Sequence, residues 1–151
     1  LEGVEIINKG DRKLVINHAE GYQIEIPKEL ILNRSRYANF LLFDKVEVLQ
    51  KGGRLRDAEW MYINVEKSPE ILKSFEEDLI TTSTEILISK SNIKFYIIPT
   101  HPDIWEQRLP QDTITGYLYM TKAENRIYFI WIKEKNLEDY VKSFKFINNE
   151  Q

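Results

Sequence analysis

Apolar and polar residues alternate in short runs along this chain, and the period switches between that of a strand and that of a helix. Tyr22, Ile24 and Ile26 alternate with Gln23 and Glu25 between Gly21 and Pro27, so residues 22–27 read as a half-buried edge strand with its apolar side inward. Residues 4–7 (VEII) and 13–17 (KLVIN) are β-prone runs separated by a Gly/Asp/Asn turn mixture. With 22–27 they predict a small antiparallel meander. Residues 40–50 start apolar and end alternating, a strand with Val46 and Val48 on one face, and the glycines of KGGR (51–54) predict a turn. In 60–67 the alternation sets Trp60, Tyr62 and Asn64 on one side and Met61, Ile63 and Val65 on the other.

Ser68-Pro69 marks a helix start, because Ser accepts from free first-turn N–H groups and Pro loses no hydrogen bond there. Ile71, Leu72, Phe75 and Leu79 follow at helical spacing, and the hydroxyl and β-branched run 80–84 (ITTST) predicts the end of the helix. Residues 92–100 read as a strand ending at proline, and 101–112, bracketed by Pro102 and Pro110, as an irregular connection. Residues 113–121 and 126–134 form a hairpin through KAEN. Ile127, Phe129, Trp131 and Lys133 share one face of its second strand, and Tyr128, Ile130 and Ile132 the other. Asn136 is the expected cap of a last helix, with Glu138 and Asp139 in its first turn and Leu137, Tyr140, Val141 and Phe144 as its apolar stripe. The prediction is one α+β domain over residues 1–151, an antiparallel sheet of about six to eight strands packed with two amphipathic helices.

At 151 residues, 42% hydrophobic and 30% charged, the chain is long enough to bury a core without metals or disulfides. The absence of cysteine excludes thiol catalysis, disulfides and zinc–thiolate sites, and is compatible with an exported bacterial protein. Net charge is −3 and Lys and Arg are dispersed, so no nucleic-acid partner is expected. Apolar runs fall far short of the roughly 20 residues that a spanning helix needs. Because the first residue is Leu1 and not Met, the expectation is a processed chain or one module of a longer exported protein.

Chemistry-bearing residues are few. His18 follows a strand and reads as a polar turn residue. His101, Asp103, Trp105, Glu106 and Arg108 fall in one predicted loop, and loops that carry His, carboxylates and Trp are common binding elements. The speculative ligand-binding set is therefore His101, Asp103, Trp105 and Glu106, with Tyr117 and Tyr119 nearby. Their spacing matches no metal motif, and neither a nucleophile elbow nor a phosphate-cradling loop is present, so no catalytic residue, metal or cofactor is assigned. Trp60, Trp105 and Trp131 suit an aromatic platform or core packing, the latter expected for at least two of them. NRS (33–35) fits the glycosylation sequon.

The segment HAEGYQIEIPKEL (18–30) resembles the Gly-aromatic strand ending in Ile-Pro near the start of PsbP-like proteins and related bacterial exported lipoproteins. Leu30 stands where that family usually has Trp. IYFIWIKEKNLEDYVKSFKF (127–146) is similar to the family's last strand and the helix after it, which ends in Ser-Phe. The resemblance implies an α/β/α-like sandwich around an antiparallel sheet, an extracellular or cell-envelope location, and a binding or assembly role without catalytic residues. The expected function is a non-catalytic binding or accessory module of a secreted or envelope-anchored bacterial protein, monomeric or dimeric, whose partner is a protein or cell-wall polymer. The alternatives are a carbohydrate-binding accessory domain of a polysaccharide-degrading enzyme and a small carboxylate-dependent hydrolase.

Overall fold

Strands β1 (Val4–Asn8), β2 (Arg12–Asn17) and β3 (Tyr22–Pro27) form the expected antiparallel meander in the computed structural model, which describes residues 1–33, 37–45, 59–100 and 116–147. Gly21, at φ 74, supplies the left-handed residue of the β2–β3 turn, and its N–H donates to the Asn17 carbonyl at 2.8 Å. A second sheet contains β4 (Leu30–Leu32), β5 (Phe40–Lys45), β6 (Glu59–Glu66), β7 (Glu85–Ile88), β8 (Lys94–Thr100), β9 (Gly116–Ala123) and β10 (Arg126–Ile132). Its order is β4-β5-β6-β10-β9-β8-β7, and every pairing is antiparallel. The short β11 (Lys145–Phe146) returns to pair with β3 and completes a four-stranded sheet, β1-β2-β3-β11.

The main core lies between the two sheets. Val15, Tyr22, Ile24 and Ile26 from the small sheet meet Phe43, Met61, Ile63, Phe95, Ile97, Tyr119 and Ile130 from the large one. The opposite face of the large sheet carries Leu118, Met120, Ile127, Phe129 and Trp131. A helical segment covers that face through Ile71, Leu72, Phe75, Leu79 and Ile80. It runs through α1 (Pro69–Ser74), a π-helical turn (Phe75–Leu79) and α2 (Ile80–Thr82). Coverage on both faces is why β10 reads as an almost unbroken apolar run while its two sides still separate as the alternation predicts. The architecture is α+β, dominated by antiparallel sheet.

Several boundaries differ from the sequence reading. The described residues contain eleven strands in two sheets where one sheet of about six to eight strands between helices is expected, and the four-stranded sheet covers the face opposite the α1–α2 helix. The surplus is short pieces, β4, β7 and β11, which hold too few residues to show a period and pair because the fold supplies a neighbour. Residues 22–23 of β3 are not at an edge, since β11 pairs there. Ser68 caps α1 by accepting from the Ile71 N–H at 3.3 Å, as expected. The helix ends at Thr82, inside the 80–84 run as expected, and the Thr81, Thr82 and Ser83 hydroxyls donate to the Asp78, Leu79 and Ile80 carbonyls and satisfy its last turn from within. Asn136 is not a cap. It lies inside a 3₁₀ turn (Lys135–Leu137) that leads into α3 (Glu138–Val141), whose first turn has no side-chain cap. Leu137, Val141 and Phe144 are buried and Tyr140 is half-buried, but the stripe is not that of one helix: Leu137 precedes α3, and Phe144 follows its end at Val141.

Candidate functional site

The strand registers place Lys45 at the end of β5, Glu59 at the start of β6, Thr100 at the end of β8 and Gly116 at the start of β9 along one end of the seven-stranded sheet. Residues 46–58 and 101–115 therefore join the sheet at the same end. His101, Asp103, Trp105, Glu106 and Arg108 fall within 101–115 and lie outside the described residues, as do Val46, Val48 and the KGGR turn.

Among the described residues at this end, aromatic rings and lysines alternate. The register steps from Phe43↔Met61 to Asp44↔Glu59 and leaves Trp60 without an opposite residue on β5. This irregularity takes Trp60 out of the strict alternation with Tyr62 and Asn64, and its half-buried ring packs against the inter-sheet core. The Lys45 ammonium lies 3.7 Å from the Trp60 ring centroid and that of Lys133 5.1 Å. Lys133 also donates its backbone N–H to the Trp60 carbonyl at 3.0 Å. Each such cation–ring contact contributes about 0.5–1 kcal/mol when partly exposed. Across β10, the Lys135 ammonium sits 5.0 Å from the Tyr117 ring and 5.7 Å from that of Tyr119.

The two predicted tyrosines have different environments. Tyr119 is fully buried in the core, and its hydroxyl donates to Glu138 Oε2 at 2.5 Å. Tyr117 is half-buried, so of the two it alone presents ring surface at this end. Burial, with the Glu138 hydrogen bond and charge, pushes the Tyr119 pKa up and keeps the phenol neutral. Burial alone would lower the Lys135 pKa, but Glu138 at 3.0 Å and Glu85 at 3.3 Å outweigh it and hold the ammonium charged. Tyr119 is therefore a core residue, and the cationic Lys135 lies beside the half-buried Tyr117 ring as the group open to a ligand at this end.

Beside Trp60, Asp44 is completely buried. Its Oδ2 accepts from Asn33 Nδ2 at 2.8 Å, while Oδ1 has no hydrogen-bond partner among the described residues. The sequon asparagine thus has its amide nitrogen engaged by a carboxylate. Burial raises the Asp44 pKa, and the Asn33 hydrogen bond offsets this only in part. A carboxyl whose pKa rises on folding binds its proton more tightly in the native state, so its ionisation costs stability. That cost is absent below the unfolded-state pKa, grows as pH rises between the two values, and is complete above the folded pKa. Asp44→Asn should remove it. In calorimetry between about pH 3 and 8, the melting-temperature difference should move in the variant's favour as pH rises. A difference that stays constant with pH would contradict this reading.

At the opposite end, Glu20 is a buried carboxylate that the alternation gave no reason to single out. Lys67 lies 3.1 Å from its Oε1 and Arg126 3.5 Å from its Oε2. Its carbonyl accepts from the Tyr128 hydroxyl at 2.8 Å, and its N–H donates to Asn17 Oδ1 at 3.0 Å. Asn17 Nδ2 in turn donates to the Ala38 carbonyl at 2.8 Å and to the Tyr22 hydroxyl at 3.3 Å. Each member is engaged by another, so the cluster ties the β2–β3 turn to the ends of β6 and β10. His18 lies in that same turn, exposed, 3.3 Å from Glu5. Trp131 is buried and stacked on Tyr62. Among the described residues no group of three or more His, Cys, Asp or Glu is placed to hold a metal, and no helix is long and apolar enough to cross a membrane.

No protein-family model matches the chain, and no curated protein sequence matches it.

Proposed function

We propose that this chain is a non-catalytic binding or accessory module of a secreted or envelope-anchored bacterial protein, built on a PsbP-like sandwich. The observation that carries the reading is the grouping of Lys45, Trp60, Lys133, Tyr117 and Lys135 at the sheet end that residues 46–58 and 101–115 also join. Ring faces bordered by ammonium groups suit a partner that offers stacking surface together with hydroxyl or anionic groups. A cell-wall polymer has that chemistry, as does an acidic protein face. The sandwich assignment is supported by a helix on one face of the large sheet and by a last long strand followed by α3 and Phe144. It is an analogy of fold and carries the compartment rather than the ligand.

The test is co-sedimentation with insoluble bacterial cell wall. Trp60→Ala and Lys45→Ala should each weaken binding about fivefold or more, the loss of ~1 kcal/mol that truncating an anchoring interface residue brings. Lys73→Ala, on the helix at the other face of the sheet, should bind as the parent does. Binding that is indifferent to Trp60 and Lys45 would overturn the assignment of this end. Release of soluble wall fragments by the chain alone would overturn the non-catalytic reading. The carbohydrate-binding alternative has one observation in its favour, the partly exposed rings of Trp60 and Tyr117 at this end. Retention on neutral polysaccharide that is indifferent to added salt would select it, because a partner held by lysine charge is lost at high salt.

A further inference from the structure

We propose that two copies of this chain associate by antiparallel pairing of β1 with β1, centred on Ile7. Strand β1 is at the edge of the four-stranded sheet and has a neighbour on one side only among the described residues. Its register with β2 is continuous from Val4↔Asn17 to Asn8↔Lys13, and the strand contains neither proline nor lysine to discourage a further partner. Ile6 and Ile7 point to opposite faces, yet they are 40% and 39% exposed. The apolar surface at this edge therefore continues around both faces of the strand.

The backbone fixes which groups are open. Lys9 N–H donates to the Arg12 carbonyl at 2.8 Å, and His18 N–H to the Gly3 carbonyl at 2.7 Å. Hydrogen-bonded pairs alternate along an antiparallel ladder, so Glu5 and Ile7 also turn their backbone groups toward β2. Val4, Ile6 and Asn8 turn theirs outward. The Val4 N–H is already directed to the Leu1 carbonyl at 3.4 Å, which leaves Ile6 and Asn8 with both outward groups open among the described residues.

One two-fold register uses these groups fully. With Ile7 facing the partner's Ile7 on the axis, Ile6 faces the partner's Asn8 in a hydrogen-bonded pair, and the symmetry repeats the pair on the other side. The same register sets Glu5 opposite the partner's Lys9, twice, so opposite charges flank the Ile7 contact. Shifting the centre to Ile6 would require the engaged Val4 N–H and would set Glu5 opposite Ile7. Hydrogen-bond availability and charge therefore select the same arrangement. Glu5 also faces His18 within its own chain, and Lys9 is exposed.

The chain has no cysteine, so a single introduced thiol reports the register directly. Residues opposite each other in a non-hydrogen-bonded pair have Cα atoms about 4.5 Å apart, within the range that a disulfide spans. Under mild oxidation, Ile7→Cys should give a covalent dimer on a non-reducing gel and Ile6→Cys should remain monomeric. Light scattering of the parent should show a concentration-dependent dimer. Glu5→Lys and Lys9→Glu should each weaken it, and the double variant should restore it. The proposal is overturned by crosslinking of Ile6→Cys in place of Ile7→Cys, by a parent that is monomeric at millimolar concentration, or by open assemblies larger than a dimer.

Discussion

Replacing Phe144 with alanine should cost about 3–5 kcal/mol of unfolding free energy, the range for deleting a fully buried phenylalanine. Phe144 has no exposed surface, and its ring meets four others. It stacks on Tyr22 at 5.3 Å and 22°, and makes edge contacts with Phe95 at 5.4 Å, Tyr128 at 5.7 Å and Phe146 at 5.3 Å. Those rings come from β3, β8, β10 and β11, so one side chain links the C-terminal segment to both sheets. The cavity cannot close by a local shift, because its walls belong to different layers held by their own ladders. The expected result is a lower urea midpoint at unchanged slope, with Phe144→Leu losing less. A reduced slope would mean that the C-terminal segment separates before the sheets do. A loss below about 1 kcal/mol would show that the site collapses instead.

The second large effect is expected at Gly116. A Cβ there would lie 2.4 Å from Trp131 Cζ2, 2.5 Å from Cε2 and 2.6 Å from the Ile132 carbonyl oxygen. The ring cannot yield easily, since Trp131 is stacked on Tyr62 at 5.8 Å and Tyr62 on Phe40 at 5.5 Å. The carbonyl cannot yield either, because Ile132 is in register with Tyr117 in the β9–β10 ladder. Gly116→Ala should therefore destabilise by about 3 kcal/mol, the upper part of the range for overpacking, and Gly116→Val by more. Trp131→Phe in the Gly116→Ala background should recover part of the loss, because it removes the ring clash and leaves the backbone one. Thermal unfolding of the single and double variants measures that coupling. A Gly116→Ala variant within 1 kcal/mol of the parent would mean that the start of β9 moves aside freely.

Both sites show where sequence reading stops. Phe144 is legible as one position of an apolar stripe, but not as the ring on which four elements converge. Gly116 appears as an ordinary residue of a β-prone run, since nothing local indicates that an indole from the next strand lies over it. The same limit applies to the candidate site. Tyr117 and Tyr119 were legible as aromatic positions, but only the tertiary structure separates a half-buried Tyr117 under Lys135 from a Tyr119 sunk in the core. Trp60 has no neighbour in sequence that announces Lys133, and Glu20 none that announces Lys67 and Arg126.

Local alternation is enough to set the long strands and their sidedness. Tyr22, Ile24 and Ile26 face inward, and Ile127, Phe129 and Trp131 separate from Tyr128, Ile130 and Ile132, because a pleated backbone sends successive side chains to opposite faces wherever it runs. The start of α1 is equally local, since Ser68 and Pro69 act through bonds within one turn. The short strands β4, β7 and β11, the irregularity at Trp60 and the lysines gathered on aromatic rings arise from long-range contacts. Each of these depends on atoms brought together from distant parts of the chain, and local periodicity carries no information about such neighbours.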